Sequence, residues 1–262
     1  MSAFSLAARD SSTMLRRNLL HARRYPSLTL NLLLTPVMML LLFVYVFGDV
    51  MSAGMGGGAD RSAYIAYLVP GILMMTVGGT VVGTAVSVSN DMTEGIIARF
   101  RTMAIHRPSI LVGHVVGSVL QCVMSVLLVG AVAVAIGFRS TGATALEWLA
   151  AFGMTILIAF ALTWIAVGMG LVSPNAEAAS NNALPLVVLP LISSAFVPID
   201  SMPGWFQPIA AYQPFTPAIE TLRGLLLGTE IGNSAWIALA WCAGLTVLGY
   251  LWSKSAFDRG AR

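Results

Sequence analysis

Lysine is nearly missing from this chain of 262 residues: of its 14 basic residues only Lys254 is a lysine, and the rest are arginines. A P-loop needs Gly-Lys-Ser/Thr to hold nucleotide phosphates. Lys254 follows Ser253 instead of a glycine, so the chain has no Walker-type ATP site of its own. A Schiff-base mechanism would rest on that one residue in the tail. Charge of either sign is equally scarce. Only 10% of residues are charged and 57% are hydrophobic, with mean hydropathy +0.84. A soluble domain carries about 25% charged residues. Too few charges remain to clothe a water-exposed surface, and the chain reads as an integral membrane protein. The net charge of +3 does not point to nucleic acid, because the basic residues are not pooled in one solvated domain.

Cysteine is confined to Cys122 and Cys242, each inside an apolar run. A disulfide framework or thiolate metal site needs clustered, accessible cysteines, so these read as small core residues. All 11 acidic residues fall outside or at the ends of the apolar runs. Proton- or ion-coupled transporters place ionisable groups within the membrane, which weakens a self-sufficient secondary transporter, although backbone-carbonyl sodium sites stay open. No paired aspartate motif is present for a metal-dependent lipid transferase. His106 and His114 have no third ligand nearby, and His114 is expected to hydrogen-bond near the start of a span.

Long charge-free windows are what the sequence has in quantity. Windows of roughly 18 or more residues mark bilayer-spanning helices. Six occur: Leu28–Gly48, Tyr64–Ser89, Ile110–Gly137, Trp148–Leu171, Ser180–Val197 and Ser234–Trp252. The fifth is short and carries Pro185 and Pro190. A transmembrane barrel would show ten-residue alternating segments instead. The fold class is therefore an all-α polytopic membrane protein with six transmembrane helices. Basic residues favour the cytoplasmic side. The N-terminal segment, the loop after the second span and the tail hold most of them, while Arg61, Arg139 and Arg223 fall on the opposite side. Both termini are expected to be cytoplasmic.

Residues 1–27 read as a cytoplasmic amphipathic helix in the membrane interface, with Arg9, Arg16 and Arg23 on one side and Phe4, Ala8, Leu15 and Leu19 on the other. Residues 28–252 form the six-span domain, and 253–262 a cytoplasmic tail. The glycine-rich loop near residues 51–62 reads as a flexible connector. Two segments do not fit six plain spans. The stretch Asn90–Ser109 predicts a short helix from about Met92 to Ala104, basic and apolar at once. The stretch Pro198–Gly232 is too apolar for a free loop and too rich in proline to span. It predicts short re-entrant helices buried against the bundle before the last span. The pairs Gly79/Gly83 and Gly113/Gly117 suggest close helix packing within the chain. Thr76, Thr80, Thr84, Gln121, Ser125, Thr163, Ser193 and Ser194 either line a path or hydrogen-bond between helices.

The run Phe196-Val-Pro-Ile-Asp-Ser-Met-Pro-Gly-Trp-Phe-Gln-Pro, continuing through Tyr212-Gln-Pro-Phe-Thr-Pro to Glu220-Thr-Leu-Arg-Gly, resembles the signature before the last span of ABC type-2 exporter permeases of the daunorubicin-resistance type. A second match is Glu94-Gly95 followed by Arg99, Arg101 and Pro108. The resemblance implies a permease, itself no enzyme, that sits in the bacterial inner membrane. Its partners would be two ATP-binding cassette subunits and a second copy of itself or a related permease. This chain would bind no cofactor, and ATP and magnesium would sit on the partner subunits. Residues of about 91–104 would form a coupling helix, with Asp91, Glu94, Gly95, Arg99 and Arg101 receiving the ATPase's motion. Phe196, Pro198, Met202, Pro203, Trp205, Pro214, Glu220, Arg223 and Gly224 would belong to the outer re-entrant gate. The cargo would be an apolar or amphiphilic drug, polyketide or lipid taken from the cytoplasm or inner leaflet. The alternative is a secondary transporter working without an ATPase.

Overall fold

A computed structural model describes residues 26–49, 61–95, 107–140 and 142–259. The interfacial helix expected over residues 1–27, the glycine-rich loop, and Arg99 and Arg101 lie outside them, apart from Pro26, Ser27, Arg61 and Ser62. All regular structure among the described residues is helical. In chain order the long helices are α1 (Pro26–Tyr45), α2 (Arg61–Thr93), α3 (Arg107–Ala135) and α4 (Ala145–Val172). Short pieces follow, α5 (Ala176–Ala183), α6 (Pro185–Val188), α7 (Gln207–Tyr212) and α8 (Phe215–Leu227), before the final α9 (Ser234–Arg259).

Four stretches among the described residues are long and apolar enough to cross a membrane: α2, Leu111–Ala135 of α3, α4 and α9. Helix α1 has 20 residues and carries Pro36 inside it. Proline is tolerated in such helices because neighbouring groups satisfy the freed carbonyl. Helix α4 starts on a capping box: Thr144 N–H donates to Glu147 Oε2 at 2.6 Å, and Glu147 N–H donates to Thr144 Oγ1 at 3.3 Å. The N-terminus of a helix would otherwise leave backbone donors unpaired.

Helix α2 is the centre of the bundle. It touches α1, α3, α4, α5, α6 and α8, and 72% of its apolar window is buried, against 17% for α9. Its Leu68, Ile72, Val77 and Val81 form the main core with Ile158, Leu162, Phe215, Ile219 and Leu222. A smaller apolar cluster, Val88, Leu111, Val115, Trp164, Val167, Leu171 and Phe257, joins α2, α3, α4 and α9 at the other end. Met124 and Leu127 of α3 and Trp236, Leu248 and Leu251 of α9 are exposed. An apolar surface of that extent suits lipid, not water.

Small residues set the closest approaches. A Cβ on Gly78 would lie 2.4 Å from the Leu186 carbonyl oxygen, so α6 rests directly on α2. Helices α4 and α9 interlock reciprocally: Gly168 faces the Trp252 ring and Gly249 faces Trp164. Ser253 Oγ closes that seam by donating to the Trp164 carbonyl at 2.8 Å. Gly79, expected to mediate packing, would meet nothing within 4 Å with a Cβ.

Two expectations about boundaries need correction. The helix predicted to start near Met92, and the coupling helix placed over 91–104, do not begin there. Residues 91–93 are the last turn of α2, and Gly95, at φ +69°, ends it in a left-handed conformation. A run without proline or glycine lets α2 continue past its charge-free part. The span expected over Ser180–Val197 is also not one helix. An apolar helical stretch covers Ala176–Ile192, broken into α5, α6 and a 3-10 turn at Leu189–Ile192. Asn175 caps its start by accepting from Ala178 N–H at 2.8 Å. Pro185 and Pro190 remove the donors that one helix would need, and Ser193 is already extended. The re-entrant prediction for 198–232 meets a 3-10 turn (Ile199–Ser201) and the pair α7 and α8, of which α8 is packed on α2, α4 and α9.

Candidate functional site

Helix α8 is built to carry charge on one side of a buried rod. Phe215, Ile219, Leu222 and Leu226 recur at helical spacing and are buried, which faces that stripe to the core. Glu220 and Arg223 fall three residues apart, where helix neighbours meet. Arg223 Nη1 donates to Glu220 Oε1 at 2.5 Å, and the two side chains are 12% and 38% exposed respectively. Its Nη2 donates to the Ser194 carbonyl at 2.8 Å and to the Tyr67 carbonyl at 3.2 Å. The guanidinium lies over the Tyr67 ring, 3.8 Å from its centroid. Tyr67 Oη in turn donates to the Ser194 carbonyl at 2.9 Å.

A planar fork of donors that also stacks on an aromatic face is what guanidinium supplies and an ammonium does not. Burying a cation is costly unless it is paired and hydrogen-bonded. Here one cation bonds the first third of α2, the turn after Ile192 and α8. Arg223 Nε keeps no partner among the described residues. Around it, Gln213 Nε2 donates to the Leu189 carbonyl at 3.1 Å, and Thr216 Oγ1 donates to the Ala210 carbonyl at 2.5 Å. The loop before α4 holds the far end of α8: Ser140 Oγ donates to the Leu226 carbonyl at 2.7 Å. Gly228, at φ +68°, lets α8 end against Gly142, where a Cβ would come within 2.6 Å of backbone.

Among the residues expected in the outer segment, Glu220, Arg223 and Gly224 are brought together. The Gly224 carbonyl accepts from Thr229 N–H at 3.0 Å. Phe196 packs on Phe43 of α1 with ring centroids 4.5 Å apart. Pro198 precedes the 3-10 turn, and Pro214 occupies the cap position of α8. The Met202 carbonyl accepts from Gln207 Nε2 at 3.0 Å, and the Pro203 carbonyl from Phe206 N–H at 2.8 Å. Trp205 stands apart, 75% exposed, with Phe206 edge-on at 5.3 Å. Tyr67 was not singled out in the sequence. Its only signal is indirect: a buried arginine needs partners that its own helix cannot supply.

The opposite end of α2 carries the other expected group. Asp91 is buried, and its Oδ2 lies 3.1 Å from His114 Nε2 of α3. Asp91 therefore faces a neighbouring helix, whereas Glu94 is exposed beyond it. His114 makes this polar contact two turns into α3, close to where the sequence placed its partner. Arg99 and Arg101 lie outside the described residues. Between the two ends, the span hydroxyls mostly bond back to their own helices: Thr76 to Ile72, Thr80 to Thr76 and Thr163 to Ala159, at 2.7, 2.8 and 2.6 Å. Thr84 additionally meets Ser118 across the α2–α3 seam. A crevice lined by Ile158, Leu162, Phe215, Trp241 and Leu245 has room for about one water. Among the described residues the arrangement ties helices together, and its product is position.

Comparison with known sequences fits this picture. The pattern of the ABC-2 type transporter family matches residues 10–227. The chain is 29% identical over 249 residues to the daunorubicin resistance ABC transporter permease protein DrrB1 of Streptomyces coeruleorubidus, covering 94% of this chain and 85% of that protein. It is 23% identical over 180 residues to the probable doxorubicin resistance ABC transporter permease protein DrrC of Mycobacterium tuberculosis, covering 67% of this chain and 64% of that protein. Nodulation protein J of Rhizobium leguminosarum bv. viciae is 27% identical over 213 residues, covering 72% of this chain and 73% of that protein. The family match takes in the buried pair between α2 and α3, the broken stretch and the arginine of α8. With bilayer-length helices built around α2, these homologies place the chain in the ABC-2 type transporter family.

Proposed function

We propose that the chain is the permease subunit of an ATP-driven exporter that moves an apolar or amphiphilic molecule out of the cytoplasm or inner leaflet. The observation that carries this reading is the family match over residues 10–227, joined to a sequence without a Gly-Lys-Ser/Thr phosphate loop. ATP and magnesium then belong to two separate ATP-binding subunits. The permease has six spans per copy: α1 to α4, the broken stretch from Ala176 to Ile192, and α9. Both termini are cytoplasmic in the bacterial inner membrane. The end with Asp91 and Glu94 faces the ATPase, and the end with Arg223 faces outward, where α7 and α8 form the re-entrant gate.

An apolar cargo agrees with spans whose hydroxyls are mostly satisfied on their own helices and whose charged groups sit towards the two ends of α2. Relatives named for daunorubicin and doxorubicin resistance suggest a planar amphiphile as the first probe. The crevice lined by Ile158, Leu162, Phe215, Trp241 and Leu245 is too small for such a molecule, and we place the path between two copies, or between this chain and a related permease. In ATP's presence the partner dimer closes, and cargo moves because the two states of the permease contact it differently.

The test is co-purification in mild detergent with the ATP-binding subunit encoded beside this gene, then hydrolysis in lipid. A stoichiometric complex whose ATP hydrolysis responds to daunorubicin is expected. Transport by the chain alone, driven by an ion gradient, would overturn the proposal.

A further inference from the structure

Asp91 lies two residues before the end of α2, and His114 lies two turns into α3. Any force applied to the segment joining those helices enters the bundle between them. Both side chains are buried, 9% and 6% exposed, and His114 Nε2 lies 3.1 Å from Asp91 Oδ2. Further along the seam, Thr84 meets Ser118, so α2 and α3 are bridged a second time. Beside these polar links, Val88, Leu111 and Val115 pack with Trp164, Val167, Leu171 and Phe257, in a cluster distinct from the main core. The backbone of α4 comes close as well: a Cβ on Gly170 would lie 2.5 Å from the Ala85 carbonyl oxygen. The ends of α2, α3, α4 and α9 thus make one packed block, and Asp91–His114 is its ionisable member.

A buried carboxylate and imidazole are an expensive way to join two helices, since apolar residues of similar volume often hold as well or better. What the pair adds is a directional link of fixed length between two specific points. We infer that Asp91–His114 is a positioning strut. It keeps the exit of α2 and the entry of α3 at one separation, so that a push on the joining segment moves the block as a unit instead of spreading the helices. Both side chains are closed off from solvent and face each other, so the role is one of position. The inference rests on the permease reading, which supplies the push.

The experiment uses the full chain with its co-purified ATP-binding subunit in inverted membrane vesicles, with daunorubicin as probe. Three variants are compared with wild type: Asp91→Asn, His114→Asn, and the exchanged pair Asp91→His with His114→Asp. Each single change should lower daunorubicin uptake per ATP hydrolysed by about tenfold, the size of an ordinary coupling effect. Complex yield and hydrolysis should stay near wild type, and the exchanged pair should recover most of the uptake. Unchanged uptake per ATP in both single variants overturns the strut. A loss that tracks falling complex yield and is not restored by the exchange also overturns it, because the pair is then a fold contact only. Wild-type vesicles in which the chain engages no ATP-binding subunit overturn the permease reading itself, an outcome separate from variant insensitivity.

Discussion

Arg223 holds more of the molecule together than any other charged side chain described. Its guanidinium is shared among a carboxylate, two backbone carbonyls and a ring on three different segments. Arg223→Ala removes one donor from each of the Tyr67 and Ser194 carbonyls, the latter keeping Tyr67 Oη, and leaves Glu220 without its cation. It should cost about 2 kcal/mol, in the range for hydrogen bonds to charged groups. Arg223→Lys should recover little, because an ammonium has no planar fork. Thermal unfolding of the detergent-solubilised chain, with daunorubicin uptake alongside, checks both; Arg223→Lys behaving as wild type would show that charge alone suffices. The sequence marks Glu220, Arg223 and Gly224 through the run they sit in. It does not mark Tyr67 or the Asp91–His114 pair, because a contact between residues distant in the chain leaves no local pattern. Apolar periodicity says which side of a helix is buried and is silent about what it meets.

Among the elements, the long helices were legible because continuous apolar runs have one physical solution in lipid. Their ends were not. Asn90 to Thr93 is polar enough to read as a loop, yet nothing in it breaks a helix before Gly95. The stretch from Ala176 to Ile192 shows the reverse: its composition reads as a span, while Pro185 and Pro190 divide it. The glycines discriminate most sharply. Gly78→Ala pushes a Cβ into the Leu186 carbonyl, and overpacking against backbone costs about 1–3 kcal/mol. Gly79→Ala, one residue on, meets nothing and should stay within about 0.5 kcal/mol of wild type. A comparison of the two unfolding midpoints checks this. Equal midpoints would mean that α6 does not rest on α2 as described. Spacing alone had pointed to Gly79, since a small-residue motif does not reveal which of two adjacent glycines faces a neighbour.

On the scale of the whole molecule, the proposed six-span topology is open to direct labelling. In a chain with Cys122 and Cys242 replaced by serine, Asn233→Cys should react with an impermeant maleimide on intact cells. Lys254→Cys should react only after the cells are opened. Reversed accessibility would invert the arrangement and put the Arg223 end inside. The mutual burial of α2, set against the exposure of α9, also fixes which helices tolerate lipid and which do not.

The length of α2 has a consequence for the bilayer itself. Between Arg61 and Asp91 the helix carries no charged residue, a stretch of about 44 Å at 1.5 Å per residue. A hydrocarbon layer is about 30 Å thick. Lying flush would need a tilt steeper than the usual limit of about 40°, so the helix leans until its neighbours resist and its polar ends stand in the headgroup regions, which bring the bilayer to about 40–45 Å. Acyl-chain length then becomes a control on the resting inclination of α2. Reconstitution in a series of progressively thicker phosphatidylcholine bilayers should raise uptake per ATP until the mismatch is relieved, and a flat response across the series would show that packing, not lipid, sets the lean.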